Sequence, residues 1–133
     1  MKIGFIGYSE TKFDITKANN IIKHIKNNIN ENDEIVSGAT MYGIPKLVYN
    51  SFKNNKKIGI MCKQGYNCDL YPCDIIYVIG DNWGDESQFF IDYIDVLYKI
   101  GGGKQSIKEK QLAIEKKIPV YEYNLDSYID KRL

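Results

Sequence analysis

Three consecutive glycines, Gly101-Gly102-Gly103, stand between an apolar run, Asp95-Val96-Leu97-Tyr98-Lys99-Ile100, and a helical pattern, Lys110-Gln111-Leu112-Ala113-Ile114-Glu115-Lys116-Lys117. The run reads as a buried strand, and the loop from Gly101 to Glu109 carries it into the helix. With no Cβ on any of the three, the backbone can turn sharply and present amide protons to something close against it. The unpaired first-turn N–H groups and positive dipole end of the helix then suit a phosphate. Glu109 falls about one turn along, where a carboxylate would meet a sugar hydroxyl or an anomeric carbon rather than the phosphate. A glutamate early in a helix also favours the dipole for structural reasons alone. The glycines carry the argument, because three in a row cost more backbone entropy than a simple strand-to-helix turn requires.

The rest of the chain repeats the pattern of strand, small-residue loop and helix. Lys2-Ile3-Gly4-Phe5-Ile6-Gly7 reads as a first strand, followed by a polar loop and a helix from Asp14 to Asn28. Ile15, Ala18, Ile22 and Ile25 form the buried stripe of that helix, with Asp14 or Thr16 as cap. Glu34 to Ser37 is a short strand that opens into Gly38-Ala39-Thr40-Met41-Tyr42-Gly43, and Ile44 to Phe52 a helix with Pro45 in its first turn. Lys56 to Cys62 and Asp74 to Ile79 are further strands, joined by an aperiodic loop from Lys63 to Cys73. The second of these is nearly all apolar, as a strand covered on both faces would be. A short helix from Gln88 to Tyr93, a sixth strand from Pro119 to Tyr123 and a terminal helix from Asp126 to Lys131 complete the reading.

This alternation predicts an α/β, Rossmann-like, three-layer domain with a mostly parallel sheet of five to six strands, occupying residues 1–133 as one unit. In such a sheet a ligand lies beyond the carboxyl ends of the strands, where strand order reverses. The glycine-bearing loops after Ile6, Ser37, Ile79 and Ile100 all fall at that edge. They nominate Gly7, Tyr8 and Ser9 from the first loop, Gly38 and Ala39 from the second, and Gly80, Asp81 and Trp83 from the third. Trp83 would wall a base or close the core edge. The fourth loop supplies Gly101, Gly102, Gly103, Lys104, Gln105 and Ser106, with Glu109 as the candidate catalytic group. The usual dinucleotide fingerprint is absent, since Gly4 lies inside the first strand and no final glycine opens the helix.

Composition narrows the partners. In 133 residues, 18 Lys plus Arg stand against 17 Asp plus Glu, for a net charge of +1. That balance gives no general pull toward nucleic acid or an anionic membrane, and no apolar stretch approaches membrane-spanning length. The start, Met1-Lys2-Ile3-Gly4-Phe5, enters a strand rather than a signal peptide, so a cytoplasmic protein is expected. Cys62, Cys68 and Cys73 sit close together, but their spacing misses the usual zinc pattern. His24, the only histidine, lies in a helix pattern. Reduced packing thiols, no metal and no resident cofactor are therefore expected.

At the two glycine loops the chain resembles the Lonely Guy and DNA-processing-protein-A (SLOG) superfamily of Rossmann-like nucleotide-binding domains. The family signature P-G-G-x-G-T-x-x-E aligns with Gly101-Gly102-Gly103-Lys104-Gln105-Ser106-Ile107-Lys108-Glu109. Two central glycines, a hydroxyl residue and the glutamate match, while the proline has become Gly101 and the later glycine Gln105. A second family signature, a glycine cluster followed by Gly-Leu-Met, is similar to Ser37-Gly38-Ala39-Thr40-Met41-Tyr42-Gly43-Ile44-Pro45, and Ile118-Pro119-Val120 fits the family's habit.

The resemblance implies hydrolysis of the bond between a base and ribose 5′-monophosphate. Glu109 would stabilise the oxocarbenium-like centre or orient water, and Gly102, Gly103 and Ser106 would hold the phosphate. The family also uses an arginine, whereas the only arginine here is Arg132, near the C-terminus. Lys104 or Lys12 would supply charge without a planar two-pronged grip. Relatives that bind nucleotide-derived signals without turnover imply a sensor or sequestering protein instead. A nucleoside 2-deoxyribosyltransferase, with a glutamate nucleophile after a strand-end loop, is the further alternative. Single-stranded DNA binding is disfavoured by the neutral charge and the lack of a basic, aromatic stripe. A homodimer is implied by resemblance only.

Overall fold

A computed structural model describes residues 1–128. Its elements are β1 (Lys2–Gly7), α1 (Ile15–Lys26), β2 (Glu34–Ser37), α2 (Gly43–Ser51), β3 (Lys57–Met61), β4 (Ile75–Val78), α3 (Ser87–Tyr93), β5 (Val96–Ile100), α4 (Lys104–Lys116) and β6 (Val120–Tyr123). The six strands form one sheet in the order β4-β3-β2-β1-β5-β6, parallel throughout. This is the expected three-layer Rossmann-like architecture. The chain moves outward from β1 to β4, then returns to place β5 on the other side of β1. Strand order therefore reverses between β1 and β5, which pair from Ile3 opposite Val96 to Gly7 opposite Ile100.

Alternation along the central strands sends side chains to two separate cores. On one face Ile3, Phe5, Ile35, Val96, Tyr98 and Ile100 pack with Ala18, Ile22 and Ile25 of α1 and Ile44, Val48 and Tyr49 of α2. On the other, Ile6, Val36, Ile58, Ile60 and Leu97 pack with Phe90 and Ile91 of α3 and Ala113 of α4. Asp14 caps α1, its side chain accepting from the Lys17 amide at 3.1 Å. Ile15 does not join the stripe of α1 and is 46% exposed, because as the first helical residue it lies beyond the packed turns.

Two further expectations are corrected. β4 is an edge strand, half-buried at every residue: Tyr77 packs against Phe89 and Tyr93 of α3, but only a short 3-10 turn (Lys63–Asn67) and loop, not a helix, join β3 to β4. The strand buried at every position is β5 instead. Helix α4 begins at Lys104, six residues before the Lys110 start of the apolar pattern, with Ile107 of its first turns 60% exposed. Half of the terminal helix expected over 126–131 falls outside the described residues. Within them Ser127 bridges Phe13 in antiparallel fashion.

Candidate functional site

The carboxyl ends of β1, β2, β3 and β5 and the loops they feed surround a cleft of about 960 Å³. β1 contributes Gly7 and the loop Tyr8 to Lys12. β2 contributes Ser37, Gly38 and Ala39, and the head of α4 contributes Gly103 to Ser106 and, one turn deeper, Glu109. Trp83, Glu86 and Phe90 close the side toward α3, and Tyr42 and Cys68 the side toward α2. The cleft thus sits over the point where strand order reverses, the usual ligand position in open parallel sheets.

Helices α1, α2 and α4 all start near this edge, and their N-termini differ in what satisfies them. Asp14 closes that of α1. At α2 the Gly43 amide donates to Thr11 Oγ1 at 3.0 Å and the Ile44 amide to the Tyr8 carbonyl at 2.9 Å, so the β1–α1 loop fills it. At α4 the cap is Gly103, and among the described residues no side chain caps the helix. Its first-turn amides and dipole end are left for a group that enters the cleft.

The three glycines before α4 have separate jobs. Gly101 and Gly102 adopt positive φ, +60° and +112°. A Cβ on Gly101 would strike the Tyr8 ring, and one on Gly102 would strike Ser106. Among the described residues a Cβ on Gly103 would meet nothing within 4 Å, and its φ of −99° is open to any residue. Space for a ligand therefore opens at Gly103, while Gly101 and Gly102 shape the turn behind it. Ser106 leans back to the sheet, its Oγ donating to the Gly7 carbonyl at 3.3 Å.

Glu109 is 6% exposed. Its Oε2 accepts from Ser87 Oγ at 2.9 Å and from Gln105 Nε2 at 3.4 Å. Burial pushes its carboxyl up to about 7, outweighing those two hydrogen bonds, and the nearby Glu86 carboxylate adds to the rise. Glu86, also 6% exposed, accepts from the Gly84 amide at 2.9 Å and from the same Gln105 amide at 3.4 Å. Gln105 thus spans two buried carboxylates. Among the described residues both donors to Glu109 use Oε2, which leaves Oε1 for a ligand or water. A carboxyl poised near neutrality in a cleft suits proton transfer.

Of the residues nominated from sequence, Gly7, Tyr8, Ser9, Gly38, Ala39, Trp83, Gly103, Lys104, Gln105, Ser106 and Glu109 line the one cleft. Gly101 and Gly102 lie behind it. Gly80 and Asp81 lie away from it: a Cβ on Gly80 would strike Asp85, and Asp81 pairs with Lys63 at 3.0 Å on the surface. Trp83 is 49% exposed on the cleft wall. Lys12 and Lys104 both line the cleft, but Lys12 is paired with Glu10 at 3.1 Å. No arginine lies among the described residues.

Sequence reasoning passed over Glu86 and Ser87, which are silent as local pattern. Their signal was position alone, at the head of the helix after the third glycine-flanked loop. The cysteines are free thiols: Cys62 is fully buried, and burial pushes Cys73 up to about 11. Among the described residues no group of His, Cys, Asp and Glu could hold a metal ion, and no helix is long and apolar enough to cross a membrane.

No family model matches the chain, and no curated protein matches it in sequence. Solved structures do match in shape. A structural-genomics target, TM1055, superposes with a TM-score of 0.75 at 19% identity, over 90% of this chain and 71% of that one. The molybdenum cofactor carrier protein of Chlamydomonas reinhardtii gives 0.73 at 20% identity, over 91% and 74%. The molybdenum cofactor binding protein of the phototrophic bacterium Rippkaea orientalis gives 0.70 at 21%, over 94% and 76%. At such identities the likeness is one of fold, and the chain shares the Rossmann-like α/β fold of these structures.

Proposed function

We propose that this chain is a SLOG-type nucleotide-binding protein that holds a nucleoside 5′-monophosphate, or a related nucleotide-derived molecule, over the β1–β5 crevice and hydrolyses its N-glycosidic bond. The observation that carries this is one wall of the cleft: the uncapped head of α4 at Gly103, with the buried carboxyl of Glu109 one turn further along. Phosphate takes the amides of the α4 head, with Lys104 at the rim. The sugar then lies toward Glu109, and the base toward Trp83 and Phe90.

In this reading ionised Glu109 takes a proton from water as the water oxygen bonds to the anomeric carbon. The bond from that carbon to the base nitrogen breaks with its electrons going to the base. The proton passes from Glu109 to the leaving base, which restores the carboxylate. Ser87 and Gln105 fix the carboxyl's orientation through Oε2. The products are free base and ribose 5-phosphate. As in the family, the chain is proposed to act as a single domain in a cytoplasmic homodimer.

A second reading, a carrier or sequestering protein without turnover, is favoured by two observations. The cleft contains no arginine among the described residues to grip a phosphate in two-pronged fashion. The fold is also shared with a molybdenum cofactor carrier and a molybdenum cofactor binding protein. That cofactor would then be a cargo.

One experiment separates the two. Purified protein is incubated with a panel of nucleoside monophosphates, and free base is followed by chromatography beside Glu109→Gln. Base release by the wild type, reduced about 10²- to 10⁴-fold in the variant, supports hydrolysis. Tight binding with no release in either protein supports the carrier, and molybdenum cofactor is the next probe.

A further inference from the structure

Lys99 lies on β5 two residues before the turn at Gly101, and it is only 6% exposed. Its Nζ donates to the Gly101 carbonyl at 2.8 Å and pairs with Glu122 Oε2 at 3.0 Å. Glu122 is its register partner on β6, and the other carboxylate oxygen of Glu122 is held by Lys110 of α4 at 2.7 Å. One ammonium therefore ties together β5, β6, the glycine turn and, through Glu122, α4. An ammonium is costly to bury, and Leu97, on the same face of the same strand, shows that an aliphatic side chain packs there.

The glycine turn explains what the ammonium is needed for. The Gly101–Gly102 peptide is flanked by two residues at positive φ with no side chains to limit its rotation. Among the described residues the Gly101 carbonyl is held by Lys99 Nζ. In a trans peptide the carbonyl and the next N–H point in opposite directions. Holding the Gly101 carbonyl on Lys99 thus fixes where the Gly102 N–H aims and how the chain enters Gly103 and the head of α4.

We infer that Lys99 is a positioning residue for the anion site: it touches no ligand, but it locks the glycine turn so that the head of α4 is aimed before phosphate arrives. This rests on the reading of α4 as the phosphate site. Preorganisation of this kind acts on affinity by removing an ordering cost at binding.

The test is Lys99→Met in the full chain, which keeps an unbranched apolar stem and removes the donor. Affinities for four nucleoside 5′-monophosphates and the matching nucleosides are measured by calorimetry, and amide exchange is followed over Gly101 to Lys104. The expected result is a loss of about tenfold or more in monophosphate affinity, nucleoside affinity unchanged, and faster exchange in the turn. A merely structural lysine would weaken both ligand classes alike. Equal losses, or no loss for the monophosphate, overturn the inference. If the wild type prefers no monophosphate over its nucleoside, the phosphate site itself fails. If Lys99→Met does not fold, Glu122→Gln, which loosens the anchor of the lysine, decides in the same way: a selective monophosphate loss supports the role and none overturns it.

Discussion

The turns after β2 and after β5 look alike as sequence and do opposite things. Each leaves the carboxyl end of a central strand through small residues into a helix with no side-chain cap of its own. After β2, the neighbouring loop completes the helix: Thr11 and Tyr8 take the amides of Gly43 and Ile44. After β5, nothing outside the helix among the described residues takes the amides of Lys104, Gln105 and Ser106, and the space beside Gly103 is open. A glycine cluster marks where a backbone can approach something. Whether that something is another loop or a ligand depends on which orphan amides the rest of the fold has already satisfied.

The sharpest way to break this comparison is a matched pair of valines. Gly103→Val should lower nucleoside monophosphate affinity by about 100-fold or more while leaving the melting temperature within a few degrees, because the side chain fills open space. Gly43→Val should do the reverse, lowering stability severely, since a Cβ there strikes the Tyr8 carbonyl at a residue with φ of +63°. Calorimetric titration and thermal melting on both variants read the two effects. Equal effects at the two sites would erase the distinction.

Next in size is the response to pH at the α4 wall. A Glu109 carboxyl at about 7 must be ionised to accept a proton, so base release should fall as pH drops below 7. Monophosphate affinity should move the other way, strengthening as the carboxyl becomes neutral. Stability follows the same group. Its folded value lies above the ordinary carboxyl value, so between about 4.5 and about 7 the folded state holds a proton that the unfolded chain has released. Stability should therefore fall as pH rises through that window, by about 3 kcal/mol. Glu109→Gln should remove the slope and melt several degrees higher at pH 8. An unchanged slope in that variant would show that burial does not perturb Glu109.

The smallest expected effect belongs to the closed turn. Thr11→Val removes the acceptor for the Gly43 amide and should cost about 0.5–2 kcal/mol in chemical denaturation, with no change in monophosphate affinity. A change in affinity would mean that the Gly43 amide, once released from Thr11, also takes part in holding the ligand.

Much of the fold could be read in the chain. Six strands, the stripe of α1 and the parallel architecture follow from short apolar runs separated by polar or glycine loops, a signal that is local. The start of α4 was not legible, because Lys104 to Lys108 carries no apolar period and Ile107 points outward. β4 read as a covered strand, since its composition is that of a core and its place at the edge is set by strand order. Among the residues that line the cleft, Gly7, Gly38, Gly103 and Glu109 were legible as pattern. Gly80 and Asp81 carried the same pattern and turned away from the cleft, and Glu86, Ser87 and Lys99 carried none.

By itself the sequence determined that several strands would end in small residues at one rim of a parallel sheet, because strand and turn preferences act over a few neighbours. Only the tertiary structure decided that β1 lies beside β5, and that a serine, a glutamine and a second glutamate surround Glu109. It also decided that the neighbouring loop closes one helix head while another stays open. Those outcomes depend on burial and on hydrogen bonds between residues such as Ser87 and Glu109, distant along the chain. Withdrawal from water is what lifts that carboxyl toward neutrality, and no stretch of sequence contains its own degree of burial.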